Sequence, residues 1–176
     1  MKRNILIIAA LMGSILFASC GASTEDKIKQ QADEMFSQAE ATVQGIDNFD
    51  DFFNFIDELT EKKQGFIKDV VAPSYAIDDS TFNVPEEVSN YFYERATAYN
   101  KVEAEKYAEL IEPYMANLEA ALDAAYQATD KADRAVLTEK AKEAYAAILP
   151  YAAYDNALPE LQERSVAINE KLEELF

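Results

Sequence analysis

Residues 86–127, EEVSNYFYERATAYNKVEAEKYAELIEPYMANLEAALDAAYQ, decide the fold. Val88, Phe92, Ala96, Tyr99, Tyr107, Leu110, Ile111, Tyr114, Leu118, Leu122 and Ala125 recur at spacings of three and four, the period of one helical face. Glu103 intrudes on that face. No glycine occurs in the stretch. Pro113 is the one interruption: it lacks an N–H and crowds the preceding turn, so it predicts a kink or a split.

Working outward toward the C-terminus, Thr129-Asp130 offers a turn and a helix cap. A further helix is predicted from about Lys131 to Leu149, with Val136, Leu137, Ala141, Ala144, Tyr145, Ile148 and Leu149 inward. Pro150 and Pro159 bracket PYAAYDNALP, which reads as a kink or loop. In the last helix Leu161, Ile168 and Leu175 alternate with Leu158, Ser165 and Leu172 at seven-residue spacing, too briefly for an independent coiled coil. Pro113 and Pro150 lie at similar distances from the turn at Thr129, so an antiparallel hairpin brings them to similar height and predicts a shared bend.

Toward the N-terminus, a helix is predicted over 25–44, capped by Ser23 or Thr24 and ended by Gly45 in the left-handed position that glycine favours. Ile28, Ala32, Met35, Phe36, Ala39 and Val43 are its apolar positions. The next helix starts after Asp47 or Asn48, with Phe49, Phe52, Phe53, Ile56 and Leu59 on one side, and Phe66 and Ile67 beyond a weakening at Gly65. Residues 72–85, APSYAIDDSTFNVP, break the pattern. No β-hairpin signal occurs anywhere. The expectation is an all-α antiparallel bundle of five or six helices with proline-kinked long helices, forming one acidic domain over residues 25–176.

Composition narrows the chemistry. The 176 residues carry 33 acids against 16 bases, a net charge of −17, which disfavours nucleic acid as a partner. Histidine is absent and cysteine occurs once, so Ser-His and Cys-His nucleophiles and His/Cys zinc sites have no residues to use. Gly45 and Gly65 are too far apart for a phosphate-binding loop. The expectation is a non-enzyme without cofactor or metal. Paired carboxylates keep one enzymatic alternative open, a hydrolase of envelope polysaccharide. Asp47, Asp50, Asp51 and Asp57 form the densest acidic patch, but their spacing lacks the twelve-residue calcium loop and its glycine. Helix capping by Asp47 and first-turn placement of Asp50 and Asp51 account for them better, and the Asp78-Asp79 pair carries no stronger signal.

The first twenty residues carry a different signal. Lys2 and Arg3 precede an apolar run, Ile5 to Phe17, too short to span a bilayer and suited to an export signal. The run ends in Leu16-Phe17-Ala18-Ser19-Cys20, which resembles the lipobox of bacterial lipoproteins at its small positions and its cysteine. It departs from that pattern at Phe17, where leucine is usual. The resemblance implies that residues 1–19 are removed and that Cys20 becomes a lipid-bearing N-terminus, with residues 20–24 as a short tether. Lipidation would also account for a lone cysteine in an exported chain, and several acyl chains anchor stably where one does not. Losing Lys2 and Arg3 but no acid lowers the net charge from −17 to −19. Gly21 stands where aspartate often marks inner-membrane retention, so the resemblance implies the outer membrane of a Gram-negative bacterium.

These readings combine into a lipid-anchored envelope protein, a helical module that binds or scaffolds another envelope protein or a glycan. The alternative is a glycan- or small-molecule-binding lipoprotein of an uptake system, with its pocket near residues 72–85. Candidate contacts are Tyr75 and Phe82 in that segment, Tyr93 off the main helical stripe, and Tyr151 and Tyr154 in the proline-bracketed stretch. For Tyr75 and Phe82 the competing reading is that they cover the end of the bundle.

Overall fold

The computed structural model describes residues 23–75, 84–152, 154 and 158–175. Among the described residues all regular structure is helical: α1 (Thr24–Gln44), α2 (Phe49–Phe66), α3 (Glu86–Gln127), α4 (Lys131–Ile148) and α5 (Pro159–Leu175). Helix α2 continues through a π-helical turn, Ile67–Val71, and an α-turn, Ala72–Ser74. Helix α4 ends in a 3-10 turn, Leu149–Tyr151.

Short polar side chains set the helix starts. Ser23 and Asp26 form a reciprocal capping box, in which the Asp26 N–H donates to Ser23 Oγ at 3.1 Å and the Ser23 N–H to the Asp26 carboxylate at 3.2 Å. The Ser23 hydroxyl, which also donates to the Asp26 carboxylate at 2.8 Å, and then the Ser23 N–H hold that carboxyl below its usual range. Asn48, not Asp47, caps α2; its Oδ1 accepts from the Asp51 N–H at 2.9 Å. Asp130 caps α4 by accepting from the N–H groups of Ala132 and Asp133. Gly45 closes α1 at φ −85°, in the right-handed region, so the left-handed ending expected of it is not used.

Contacts across the helices give their directions. Lys29 meets Glu87 and Asp33 meets Arg95, so α1 runs parallel to α3. Phe66 lies 5.3 Å from Phe92, and Phe49 5.9 Å from Tyr107, ring to ring, so α2 runs antiparallel. Arg164 meets Glu112 and Lys171 meets Asp123, which makes α5 parallel to α3. The three-residue turn at 128–130 sends α4 back along it. The chain therefore goes up and down five times. Helices α1 and α2 flank the first half of α3, α4 and α5 the second, and two three-helix assemblies share one long helix.

Side-chain size decides the spacing. Backbones approach most closely between α3 and α4 and between α3 and α1, where buried Ala32 and Ala39 of α1, Ala125 of α3, and Ala141 and Ala144 of α4 leave room. Helix α2 buries Phe49, Phe52, Phe55 and Leu59, and α5 buries Leu161, Ile168 and Leu172. The C-terminal helix thus spends its leucine seam on its own bundle. A smaller cluster, Ile28, Val71 and Val88 with Phe66, Val84 and Phe92 around it, closes the end where α3 begins.

Several expectations change. Pro113 lies inside an uninterrupted α3, so it does not split the helix. Tyr114 and Tyr151, the neighbours of Pro113 and Pro150, have ring centroids 5.5 Å apart, so the two prolines do sit at one height. Residues 72–74 remain helical rather than opening the break. Val136 and Leu149, expected inward, are 59% and 50% exposed, because α4 turns only Ala141, Ala144 and Ile148 fully inward. Phe55 and Met115 are buried in places the periodic reading passed over.

Pro113 is exposed and deprives the Glu109 carbonyl of its helical donor. Pro113→Ala is expected to stabilise the protein by about 1–3 kcal/mol in urea unfolding. A destabilised variant would mean that the neighbouring helices need the proline.

Candidate functional site

The midpoint of α3 is where the two halves meet, and the bulkiest side chains collect there. Phe49, Phe52 and Phe53 come from the start of α2, Tyr107 and Tyr114 from α3, and Tyr151 and Tyr154 from the segment after α4. Phe49 stacks on Tyr151 with centroids 4.0 Å apart, and Tyr107 on Tyr154 at 4.4 Å. Phe52 presents its edge to Tyr154 at 5.6 Å. Offset and edge-on pairs of this kind add about 0.5–1.5 kcal/mol each beyond the area they bury.

Polar groups thread this cluster. Tyr107 Oη donates to the Tyr151 carbonyl at 2.6 Å and so ties the 3-10 turn to α3. Burial pushes the Tyr107 phenol pKa up. Glu103, which intruded on the apolar stripe, is only 3% exposed and accepts from the Tyr154 hydroxyl. One turn away, Tyr99 is wholly buried and its hydroxyl has no hydrogen-bond partner. Burial, then the nearby Glu103 charge, raises the Tyr99 phenol pKa well above normal. Lys63 lies over the Tyr99 ring, its Nζ 5.5 Å from the centroid. Lys106 is 7% exposed and reaches out to Glu109 at 2.8 Å.

Beside the cluster a cleft of about 240 Å³ opens between α3, the end of α4 and the start of α5. Tyr107, Ile111, Met115, Ile148, Tyr154 and Leu161 form most of its wall, with Gln162 and Ser165 along α5.

The structure redistributes the candidate contacts. Tyr151 and Tyr154 come together, as members of the aromatic junction. Tyr93 stands apart on α3, 74% exposed. Tyr75 packs against the small cluster of Ile28, Val71 and Val88 and covers that end of the bundle, with its hydroxyl buried and unpartnered. Burial first, then the Glu25 charge, raises its phenol pKa. Phe82, Cys20, Asp78 and Asp79 lie outside the described residues. This cleft lies along the second half of α3, and residues 76–83, around which a pocket was expected, lie outside the described residues. In the acidic patch, Asn48 Nδ2 donates to Asp47 and Asp51 at 2.9 and 2.8 Å, within the α2 cap. Among the described residues no three potential metal ligands converge, and no helix is long and apolar enough to cross a membrane.

Glu103, Tyr107 and Met115 were missed as site residues. A carboxylate on an otherwise apolar stripe demands a buried donor, and that demand was the available signal. The chain matches no protein-family model, no curated protein and no solved structure.

Two phenylalanine substitutions separate the roles of the hydroxyls. Tyr154→Phe leaves buried Glu103 without its donor and is expected to cost about 1.5–3 kcal/mol, the range for hydrogen bonds to charged groups. Tyr99→Phe removes an unsatisfied hydroxyl and is expected to be neutral or to stabilise by up to about 1 kcal/mol. Equal losses for both in urea unfolding would contradict the assignment.

Proposed function

We propose that the protein is a lipid-anchored lipoprotein of a Gram-negative cell envelope, held in the outer membrane through Cys20, and that its acidic bundle binds or scaffolds another envelope component. The observation that carries this reading is the run Leu16–Cys20 after a short apolar export segment. The reading also draws support from the start of the folded region. Only Gly21 and Ala22 separate Cys20 from Ser23, the residue that caps α1. An anchor at Cys20 would hold the end of the bundle formed by α1, the π-helical turn and the start of α3 close to the lipid surface.

A non-enzymatic role is supported by the residue types themselves. A chain without histidine, whose single cysteine serves lipidation, has no Ser-His or Cys-His pair to use. The excess of 33 acids over 16 bases favours a protein or glycan partner over nucleic acid. Exposed Tyr93 is the residue we assign to the partner surface, since aromatic side chains are enriched at interfaces. Tyr75, Tyr151 and Tyr154 serve packing.

Cys20→Ser, expressed in a Gram-negative host, is expected to abolish fatty-acid labelling and to move the protein out of the membrane fraction. Labelling and fractionation identical to the native chain would overturn the proposal.

A further inference from the structure

We infer that the cleft between α3, α4 and α5 is a binding site for a compact, uncharged ring molecule such as a substituted phenol or indole. This goes beyond the anchored scaffold, and would hold whether or not Cys20 carries lipid.

The wall specifies the chemistry. Ile111, Met115, Ile148 and Leu161 present apolar surface, and Tyr107 and Tyr154 present ring edges or faces. The cleft is partly open to solvent, and its volume of about 240 Å³ leaves room for one small ring, by comparison with the roughly 150 Å³ that holds benzene. Methionine on the wall adds a deformable, polarisable contact suited to ring edges.

The polar groups of the wall restrict the occupant further. Tyr107 donates its proton to the Tyr151 carbonyl, Tyr154 to Glu103, and Ser165 to the Leu161 carbonyl at 2.8 Å. Their hydrogens are committed, while the Tyr107 and Ser165 oxygens can still accept. The site therefore suits a ligand that brings one donor, an O–H or N–H, and little else. A sugar would bring several hydroxyls against a wall made mostly of Ile111, Met115, Ile148, Leu161 and the tyrosine rings, with Gln162 as its one side-chain amide. An anion is disfavoured twice: none of the described lining residues is basic, and the chain has a net charge of −17.

Position separates this site from the proposed anchor. Tyr107 lies nineteen residues along α3 from Val88, about 28 Å at the rise of an α-helix. The cleft therefore lies well away from the bundle end nearest Cys20.

The sequence supplies a clean reporter. Of its four methionines, Met115 lines the cleft and Met35 lies on α1 in the other half, while Met1 and Met12 belong to the export segment. The full-length chain labelled with 13C at the methionine methyls is titrated with p-cresol, with 4-methylbenzoate as the anionic counterpart and with glucose. Met115→Leu assigns the peak. The expected result is a saturable shift of the Met115 peak with p-cresol, at a Kd at or below about 1 mM. Met35 should stay in place, and the other two probes should cause no shift. Ser165→Phe, which puts a ring into the cleft, is expected to abolish the shift. Ala152→Leu serves the same purpose if circular dichroism shows that Ser165→Phe has lost helix. A stationary Met115 peak, movement of Met35 alongside it, a shift that persists in the filled variant, or a response to glucose or 4-methylbenzoate would each overturn the inference.

Discussion

The structure depends on one constraint: α3 is 42 residues long, about 63 Å, and its apolar stripe must be covered along its whole length. The other helical runs, even α2 with its extension to Ser74, are much shorter, so no single neighbour can do it. Coverage is divided. Helices α1 and α2 take the first half, α4 and α5 the second, and the start of α2 and the end of α4 fall near the middle. At that junction no continuous helix face is available, and large rings fill the space that helix ends leave open. The stacking of Phe49 on Tyr151 and of Tyr107 on Tyr154 follows from this. So does the cleft beside them, where the rings stop short of α5.

The same division sets the electrostatics. Although acids outnumber bases about twofold, two arginines are placed where they fix the position of one helix against another. Arg95 of α3 grips Asp33 and Glu40 of α1, both at 3.0 Å. Arg164 of α5 grips Glu112 at 2.6 Å and Glu119 at 3.0 Å on α3, and both carboxylates raise the pKa of its guanidinium, Glu119 first. In each case the partners are seven residues apart, two turns along one helix face, and a planar fork spans them. Pairs this exposed contribute only about 0.2–1 kcal/mol each, so their main effect is on register. Tyr126 extends the scheme at the far end by donating to the Lys171 carbonyl at 3.1 Å and to the Glu174 carboxylate. The Glu174 bond leads in pushing its phenol pKa up to about 12.

Much of the fold was legible because it rests on local signals. The bounds of α3 follow from its periodicity and from Pro85 before it, and Ser23, Asn48 and Asp130 mark starts through capping. What periodicity cannot express is which half of a long stripe each neighbour covers. The exposure of Val136 and Leu149 and the burial of Met115 are tertiary outcomes of that division. Pro113 misled in part, since the cost of one missing hydrogen bond is smaller than the packing gained by keeping α3 whole. The candidate site was legible only in pieces. Tyr151 and Tyr154 stood out because they interrupt the helical pattern. Their partners Phe49 and Tyr107 are distant in sequence and looked like ordinary members of helical faces, and Glu103 stood out as an intruder without showing what it meets.

The central claim is that sharing α3 makes the two halves one cooperative unit. The chain contains no tryptophan, so a single introduced indole reports on one half at a time. Phe66→Trp places it in the α1–α2 half and Tyr145→Trp in the α4–α5 half. Urea unfolding followed by fluorescence in each variant, with circular dichroism on the same samples, is expected to give coincident transitions within each variant, as a two-state unit requires. A fluorescence transition well separated from the loss of helix, in either variant, would show that the halves unfold independently and would contradict the account.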